Sequence, residues 1–352
     1  MSFHYKEIVP YLLQWFDYNA RILPWREDPK PYHVWVSEIM LQQTRVEAVK
    51  GYFDRFLTAL PDIRALAEAP EETLLKLWEG LGYYSRVKNL KKAAQVVMKD
   101  YKGELPADYN KLCGLPGIGA YTAGAVASIA FGIPVPAVDG NVLRVTKRLA
   151  ASFDDISKEK VKKELAKELE AIIPKERPGD FNQALMELGA TVCLPNGKPL
   201  CEKCPLMHLC QAFRQGIEME LPVKPGKKVR RVEERTILLL EYQERFALRK
   251  RPEKGLLAGL WEFPGLNEQL KLSELEIWLG DWGVNHISSI EPFGSAKHIF
   301  SHVEWHMLGY HIRLKELPTG LNEKLQWVDR YGLRETYALP NAFAYYKNKI
   351  LK

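Results

Sequence analysis

Residues 115–130 read LPGIGAYTAGAVASIA. Gly117 and Gly119 follow a proline and precede a run of small residues that suits a closely packed helix. The stretch predicts a tight turn between two short helical segments. Such a turn can aim backbone N–H groups, and the start of the following helix, at one phosphate. That contact fixes register on a duplex and reads no sequence. A plain helix–helix turn fits the same residues. A nucleotide-binding glycine loop fits less well: it is expected after a strand, and no Gly-Lys-Ser/Thr follows here.

The surrounding sequence is helical in pattern. Ile8, Leu12, Trp15 and Phe16 share one face over residues 5–18. One helix is expected from Val36 to Leu57, ending before Pro61. EETLLKLWEG (71–80) stops at a glycine. SRVKNLKKAAQVVMKDY (85–101) repeats Val87, Leu90, Ala94 and Val97. In SKEKVKKELAKELEAII (157–173), Ser157 is a cap signal ahead of Val161, Leu165, Leu169 and Ile172. The expected first domain, residues 1–220, is therefore mostly α. A basic linker is expected over 221–232, overlapping VKPGKKVRRVEER (223–235), which could also track phosphates. Strand-like runs follow: TILLLEY (236–242), RFALRKR (245–251) and VEWHMLGYHIRL (303–314). GLLAGLWEFPG (255–265) reads as a glycine-rich loop, and a last helix falls within NAFAYYKNKI (341–350). Residues 233–352 are expected to form an α+β domain.

Composition narrows the function classes. The chain has 352 residues, 46% of them hydrophobic, and a formal net charge of +6. That charge is compatible with a polyanionic partner without requiring one. No apolar run reaches the roughly 18 residues needed to span a membrane. The N-terminus, MSFHYKEIVPYLLQWF, lacks a secretory signal pattern. A cytoplasmic protein is expected, and clustered cysteines there favour metal over disulfides. Cys193, Cys201, Cys204 and Cys210 lie within CLPNGKPLCEKCPLMHLC, and the fifth cysteine, Cys113, stands apart as a small buried hydrophobe. Four thiolates suit either a tetrahedral zinc site or a 4Fe–4S cluster. The wide outer spacings favour the larger group.

General acid–base chemistry needs carboxyls whose surroundings set them apart from solvent-exposed ones, and two stand out here. Glu38, in WVSEIML, has large apolar neighbours that favour its neutral form. Read alone, it is a first-turn helix residue. Asp139, in PAVDGNV, stands before a predicted helix, and its plain role is an N-cap.

Several segments together resemble the helix-hairpin-helix DNA glycosylases related to endonuclease III, most closely the adenine DNA glycosylase (MutY) family. They are PWR (24–26), WVSEIMLQQTRV (35–46), EGLGYYSR (79–86), LPGIGAYTAGA, VDGNV, FNQALMELGA (181–190) and the cysteine loop. The resemblance spans nearly the whole chain and weakens after residue 230. It implies removal of adenine mispaired with 8-oxoguanine in double-stranded DNA, and one 4Fe–4S cluster on the four grouped cysteines. The first cysteine spacing is one residue longer than the family's usual one. By position, Glu38 matches the proton donor and Asp139 the carboxylate facing the sugar. Tyr121 and Asn141 match assisting groups. Arg21, Leu23, Trp25, Arg26, Leu41, Val46 and Gln183 match the adenine pocket. Gln43, Thr44, Leu81 and Tyr83 match the wedge that replaces the extruded base. Tyr121 stands where strand-cutting relatives have a Schiff-base lysine, which implies a monofunctional enzyme.

Residues after 230 resemble a Nudix-type domain, but GLNEQLKLSELEIWLGDWGV lacks that fold's glutamate array, since Glu274 and Glu276 do not form it. Phe300, Ser301 and His302 resemble the loop that recognises 8-oxoguanine. A monomer acting on lesion-bearing duplex DNA, with no membrane partner, is expected. The competing class is a DNA-binding module without turnover, and a third reading is a different base substrate. Tyr121 and the 300–302 loop point to adenine rather than to the thymine-glycol enzymes.

Overall fold

A computed structural model describes residues 3–226, 229–318, 321 and 324–352. Residues 227 and 228 of the expected basic linker lie outside the described residues. The chain divides into two compact units: the residues up to Ala69 with Ser85–Gly226, and Pro70–Tyr84 with the residues after Gly226. The short segment from 70 to 84 thus belongs with the C-terminal part of the chain, an interleaving that the sequence does not announce.

The first unit opens with α1 (Ile8–Asn19), α2 (Pro24–Glu27), α3 (Pro31–Leu41), α4 (Val46–Ala59) and α5 (Ile63–Glu68). Helix α6 (Glu71–Leu77) lies in the segment that joins the second unit. The first unit resumes with α7 (Ser85–Asp100), α8 (Tyr109–Cys113), α9 (Ala120–Phe131), α10 (Gly140–Leu149), α11 (Glu159–Glu170), α12 (Pro178–Thr191) and α13 (Gln211–Gln215). Leu12 and Phe16 of α1, Val145 and Leu149 of α10, and Phe181, Leu185 and Leu188 of α12 meet in one apolar core.

The single helix expected over 36–57 is two helices. Gln43 takes a left-handed φ of 60° between them. The Arg86 guanidinium donates to the carbonyls of Ile39, Met40 and Gln42 at 2.8, 3.0 and 2.6 Å. Those carbonyls are satisfied by a side chain instead of a further helical turn. Ser157 does not cap α11 either: the N-cap position is Lys158, and the Ser157 N–H donates to Asp155 Oδ1 at 2.9 Å.

The cysteine loop corrects the expectation of an iron–sulfur cluster. Among the described residues, no group of three or more His, Cys, Asp or Glu side chains is placed to hold a metal ion. This overturns the 4Fe–4S cofactor, the metal-binding assignment of Cys193, Cys201, Cys204 and Cys210, and the cluster loop as part of the fold. The four free thiols line a cavity of only about 30 Å³. Burial pushes the Cys204 thiol up to about 12 and raises Cys201 and Cys210 as well. Arg148 ties the loop down, donating to Leu194 O and Leu221 O at 2.9 Å and to Cys193 Sγ at 3.3 Å.

In the second unit, the strands are β1 (Arg231–Tyr242), β2 (Arg245–Lys250), β3 (Trp261–Glu262), β4 (Gly265–Leu266), β5 (Ile287–Ile299), β6 (Val303–Leu314) and β7 (Gln326–Val328). They form one mixed sheet of order β3-β2-β1-β6-β5, with β4 paired to β1 and β7 to β2. β1 runs parallel to β6, with Arg231 opposite Val303 and Glu241 opposite Arg313. The unbroken apolar run in β1 has a simple cause: both faces are covered. Ile237 and Leu239 pack with Trp305, Phe343 and Tyr346 on the side of α15 (Ala344–Leu351). Leu238 and Leu240 pack with Leu275 and Leu279 of α14 (Leu272–Trp282). The 255–265 stretch, expected as loop, contributes β3 and the start of β4. Among the described residues, no helix is long and apolar enough to cross a membrane.

Candidate active site

Helix α3 places Glu38 near its C-terminal end, not in its first turn, and buries it beside Val34, Trp35, Ile39 and Met40. Helix α9 brings Tyr121 to it, and the phenol donates to Glu38 Oε2 at 2.5 Å. Asp139 is the N-cap of α10. Its Oδ1 accepts from the Val142 N–H and its Oδ2 from Asn141 Nδ2, both at 2.7 Å. These four residues line one cavity of about 160 Å³ together with Arg21, Leu23, Trp25, Arg26, Leu41, Thr44, Val46 and Gln183. Gln43 stands outside that lining, exposed in the turn between α3 and α4.

The cavity sets its carboxyls apart. Burial pushes Glu38 from 4.5 up to about 7, with the Tyr121 hydroxyl opposing and nearby Asp139 reinforcing. Burial also raises Asp139, against the N–H donors of Val142 and Asn141. Burial and the neighbouring Glu38 raise the Tyr121 phenol well above its ordinary value. A carboxyl that is partly protonated near neutral pH, beside an oriented second carboxylate, is the equipment for acid-assisted bond cleavage.

A wider cleft of about 1,330 Å³ shares Leu41, Thr44, Tyr121, Asp139 and Asn141 with this cavity. The first residues of α9 and α10 line it, as do Lys162, Lys163 and Lys224. Two helix N-termini and three lysines make it suited to phosphates. The hairpin that introduces α9 needs its glycine. Gly117 has a φ of 75°, and a Cβ there would meet Asn89 Cβ at 2.7 Å. Gly119 is the N-cap of α9 and lines the cleft, whereas Gly117 lines a separate pocket with Asn89 and Arg86.

The remaining expected contacts lie in the second unit. Phe300, Ser301 and His302 form the turn between β5 and β6. Phe300 packs edge-on against Trp305 at 4.8 Å, and Arg230 Nε donates to its carbonyl at 3.1 Å. Tyr83 belongs to the same unit, and its hydroxyl lies 3.0 Å from Ser301 Oγ. Tyr83 is 48% exposed, whereas Leu81 is 7% exposed, so the tyrosine is the more available of the two for a base stack.

Sequence reasoning missed three contributors. Glu187 is buried and accepts from Arg21 Nε at 2.5 Å and from Arg26 Nη2 at 2.9 Å. Arg144 donates to Asn141 Oδ1 and Gly189 O, both at 2.8 Å, locking α10 to α12. Met186 lines the cavity, with its sulfur 3.3 Å from the Tyr121 hydroxyl. A glutamate among the apolar residues of FNQALMELGA, in a chain whose pocket arginines need a carboxylate, was the available signal for Glu187.

A sequence model described as HhH-GPD superfamily base excision DNA repair protein matches residues 36–171, and a NUDIX domain model matches residues 235–349. An adenine DNA glycosylase from Homo sapiens is 38% identical over 356 residues, covering 83% of this chain and 64% of that protein. An adenine DNA glycosylase from Buchnera aphidicola (subspecies Schizaphis graminum) is 32% identical over 327 residues, covering 93% of both. Among solved structures, a thermostable thymine-DNA glycosylase matches with a TM-score of 0.54 and 31% identity, over 60% of this chain and 96% of that one. A match at 32% identity over 93% of both chains, beside a cavity lined by buried carboxyls that shares residues with a wider cleft, means that this chain belongs to the adenine DNA glycosylase family of the HhH-GPD superfamily and is a DNA glycosylase of base excision repair.

Proposed function

We propose that the protein hydrolyses the N-glycosidic bond of adenine opposite 8-oxoguanine in duplex DNA, without cutting the strand. The observation that carries this is Glu38: a buried carboxyl held near neutrality in the same cavity as the oriented carboxylate of Asp139. The adenine must first leave the base stack to enter a cavity of this kind. With Oε2 accepting from Tyr121, the proton of Glu38 resides on Oε1 and passes to a ring nitrogen of the base. The C1′–N9 bond then breaks, its electron pair leaving with adenine. Asp139, fixed by two donors, faces the positive charge that develops on the sugar. Water adds to C1′ and releases a proton. Tyr121 offers no amine to the opened sugar, so no Schiff base forms at that position.

In the same proposal, residues 1–220 are the catalytic region, 221–232 the basic linker and 233–352 the lesion-recognition domain. Phe300, Ser301 and His302, with Tyr83 beside Ser301, are the groups offered to the 8-oxoguanine. The two purines differ at N7 and C8, and discrimination requires polar groups aimed there.

The test is single-turnover release of adenine from duplexes that differ only in the opposite base: 8-oxoguanine, guanine, cytosine or thymine. A thymine opposite guanine serves as the control, and strand breaks are read before and after alkali. Adenine release fastest opposite 8-oxoguanine, with breaks only after alkali, is the expected result. Release of thymine without release of adenine, or breaks before alkali, would overturn the proposal.

A further inference from the structure

We propose that Glu79 is a positioning residue that pins the 80–83 turn to the C-terminal unit and so sets the placement of Tyr83. The inference rests on the proposed recognition of 8-oxoguanine by Tyr83 and Ser301. The segment from 70 to 84 is separated by more than 140 residues of chain from the rest of its unit, yet polar side chains fasten it along its length. Glu72 accepts from Lys250 Nζ at 3.0 Å and from Trp261 Nε1 at 2.9 Å. Asn341 Nδ2 donates to the Gly80 carbonyl at 2.9 Å.

Glu79 is the densest of these fastenings. Its Oε1 accepts from the Leu339 N–H at 3.0 Å and from Lys347 Nζ at 2.6 Å. Its Oε2 accepts from Lys76 Nζ at 2.7 Å. All three charged side chains are at most 17% exposed, so salt screens the network less than it screens an exposed pair. One carboxylate therefore joins α6, the loop before α15 and α15 itself. The residues that follow it directly are Gly80, Leu81, Gly82 and Tyr83. Tyr83 holds a left-handed φ of 47°, which a tyrosine keeps only where its surroundings impose it. The anchors on both sides of the turn, Glu79 with Asn341 before it and Ser301 at the tyrosine hydroxyl, supply that constraint.

Charge is what Glu79 contributes beyond shape. Glu79→Gln keeps the size and one acceptor but leaves the two largely covered ammonium groups of Lys76 and Lys347 without this carboxylate. Loosening a turn that aims a recognition group by about 1 Å is enough to lower a rate by up to about 100-fold. The expected effect is loss of discrimination, with the chemistry of base release retained.

Two measurements on the full chain test this. In the free protein, hydrogen exchange of backbone amides in 79–84 should rise at least about tenfold in Glu79→Gln, while amides of α9 stay unchanged. In single turnover, the preference for 8-oxoguanine over guanine opposite adenine should fall by roughly tenfold or more, through loss on the 8-oxoguanine duplex and not through gain on the guanine duplex. Lys347→Met should reproduce part of both effects, and Lys347→Arg should preserve both. Unchanged exchange in Glu79→Gln and Lys347→Met overturns the pinning. Raised exchange with an intact preference overturns the role in recognition. A parent protein without any preference for 8-oxoguanine sinks the underlying recognition proposal instead, and the exchange result still decides the pinning.

Discussion

Replacing Glu38 with glutamine should make the protein more stable in alkali and nearly inactive. The carboxyl is buried and its proton affinity corresponds to about 7, against 4.5 for an exposed glutamate. Between those two values the folded protein binds more protons at this site than the unfolded chain, so the site's contribution to stability falls as pH rises. It is fully present below pH 4.5 and fully lost above about pH 7. At about 1.4 kcal/mol per tenfold change in proton affinity, the gap amounts to roughly 3 kcal/mol. Glutamine carries no such penalty. Glu38→Gln should therefore exceed the parent by about 2–3 kcal/mol at pH 8 and match it near pH 4. Urea unfolding of both proteins at matched pH values from 4 to 9 measures this, because other titrating groups cancel in the difference. Base release by the variant should fall by about 10²–10⁴-fold, the range for a lost general acid. In the parent, the rate of the chemical step should decline as pH rises through about 7. A stability difference that is flat across pH, or a variant less stable than the parent at pH 8, refutes the claim that burial holds Glu38 protonated.

Asp139→Asn should also abolish base release while changing stability by less than about 1 kcal/mol, since asparagine caps helices about as well as aspartate; calorimetry beside single-turnover kinetics separates the two effects. Gly189→Ala places a Cβ 2.6 Å from Asn141 Cβ, so it should cost about 1–3 kcal/mol of stability and slow base release through the displaced Asn141. Lys163→Ala combined with Lys224→Ala should weaken binding to lesion-free duplex and lower the steepness of its salt dependence by up to about 2, because both side chains line the cleft.

Much of the first unit was legible because its helices are amphipathic. Ile8, Leu12 and Phe16 repeat at helical spacing and are buried together. The break between α3 and α4 was not legible, because the groups that make it are far apart in sequence: Arg86 binds carbonyls at 39, 40 and 42. Strand β5 also escaped notice. ISSIEPFGSAKHI has weak alternation, and the pairing with β6 is irregular between Pro292 and Gly294. β6 supplies the register that β5's own side chains do not announce. Cysteine spacing misled most: it shows which thiols lie near each other along the chain, but not the volume between them or whether they are ionised. The structure sets that volume at about 30 Å³. For Glu38 and Asp139, the residue types were legible and their burial was not. Asp139 needs no choice between capping and chemistry, because the Val142 N–H that it caps and the Asn141 side-chain amide together fix its carboxyl, which lines the cavity.

Three carboxyls line the cavity, and their partners assign each a different task. Burial alone would raise all three. Glu187 goes the other way: the guanidinium groups of Arg21 and Arg26 outweigh its burial and hold it below the usual carboxylate range. A carboxyl held in that direction favours its ionised form and is poorly suited to donate a proton. Asp139 accepts two N–H donors, an arrangement that suits a charged group, though burial still raises it. Glu38 accepts one hydrogen bond, from a phenol, and lies near Asp139, so it is the carboxyl that keeps a proton near neutrality. The ionised Glu187 then reaches the base indirectly. It holds Arg26 Nη2 at 2.9 Å, while Arg26 Nε donates to Gln183 Oε1 at 2.9 Å. With its oxygen engaged, the Gln183 amide has its NH₂ group left to offer as a donor. An adenine edge presents ring-nitrogen acceptors to such a donor, whereas a thymine of the same orientation would need its carbonyl placed there. In the proposed function, the buried Glu187–Arg26 pair thus sets which way Gln183 faces, and through it which base the cavity accepts.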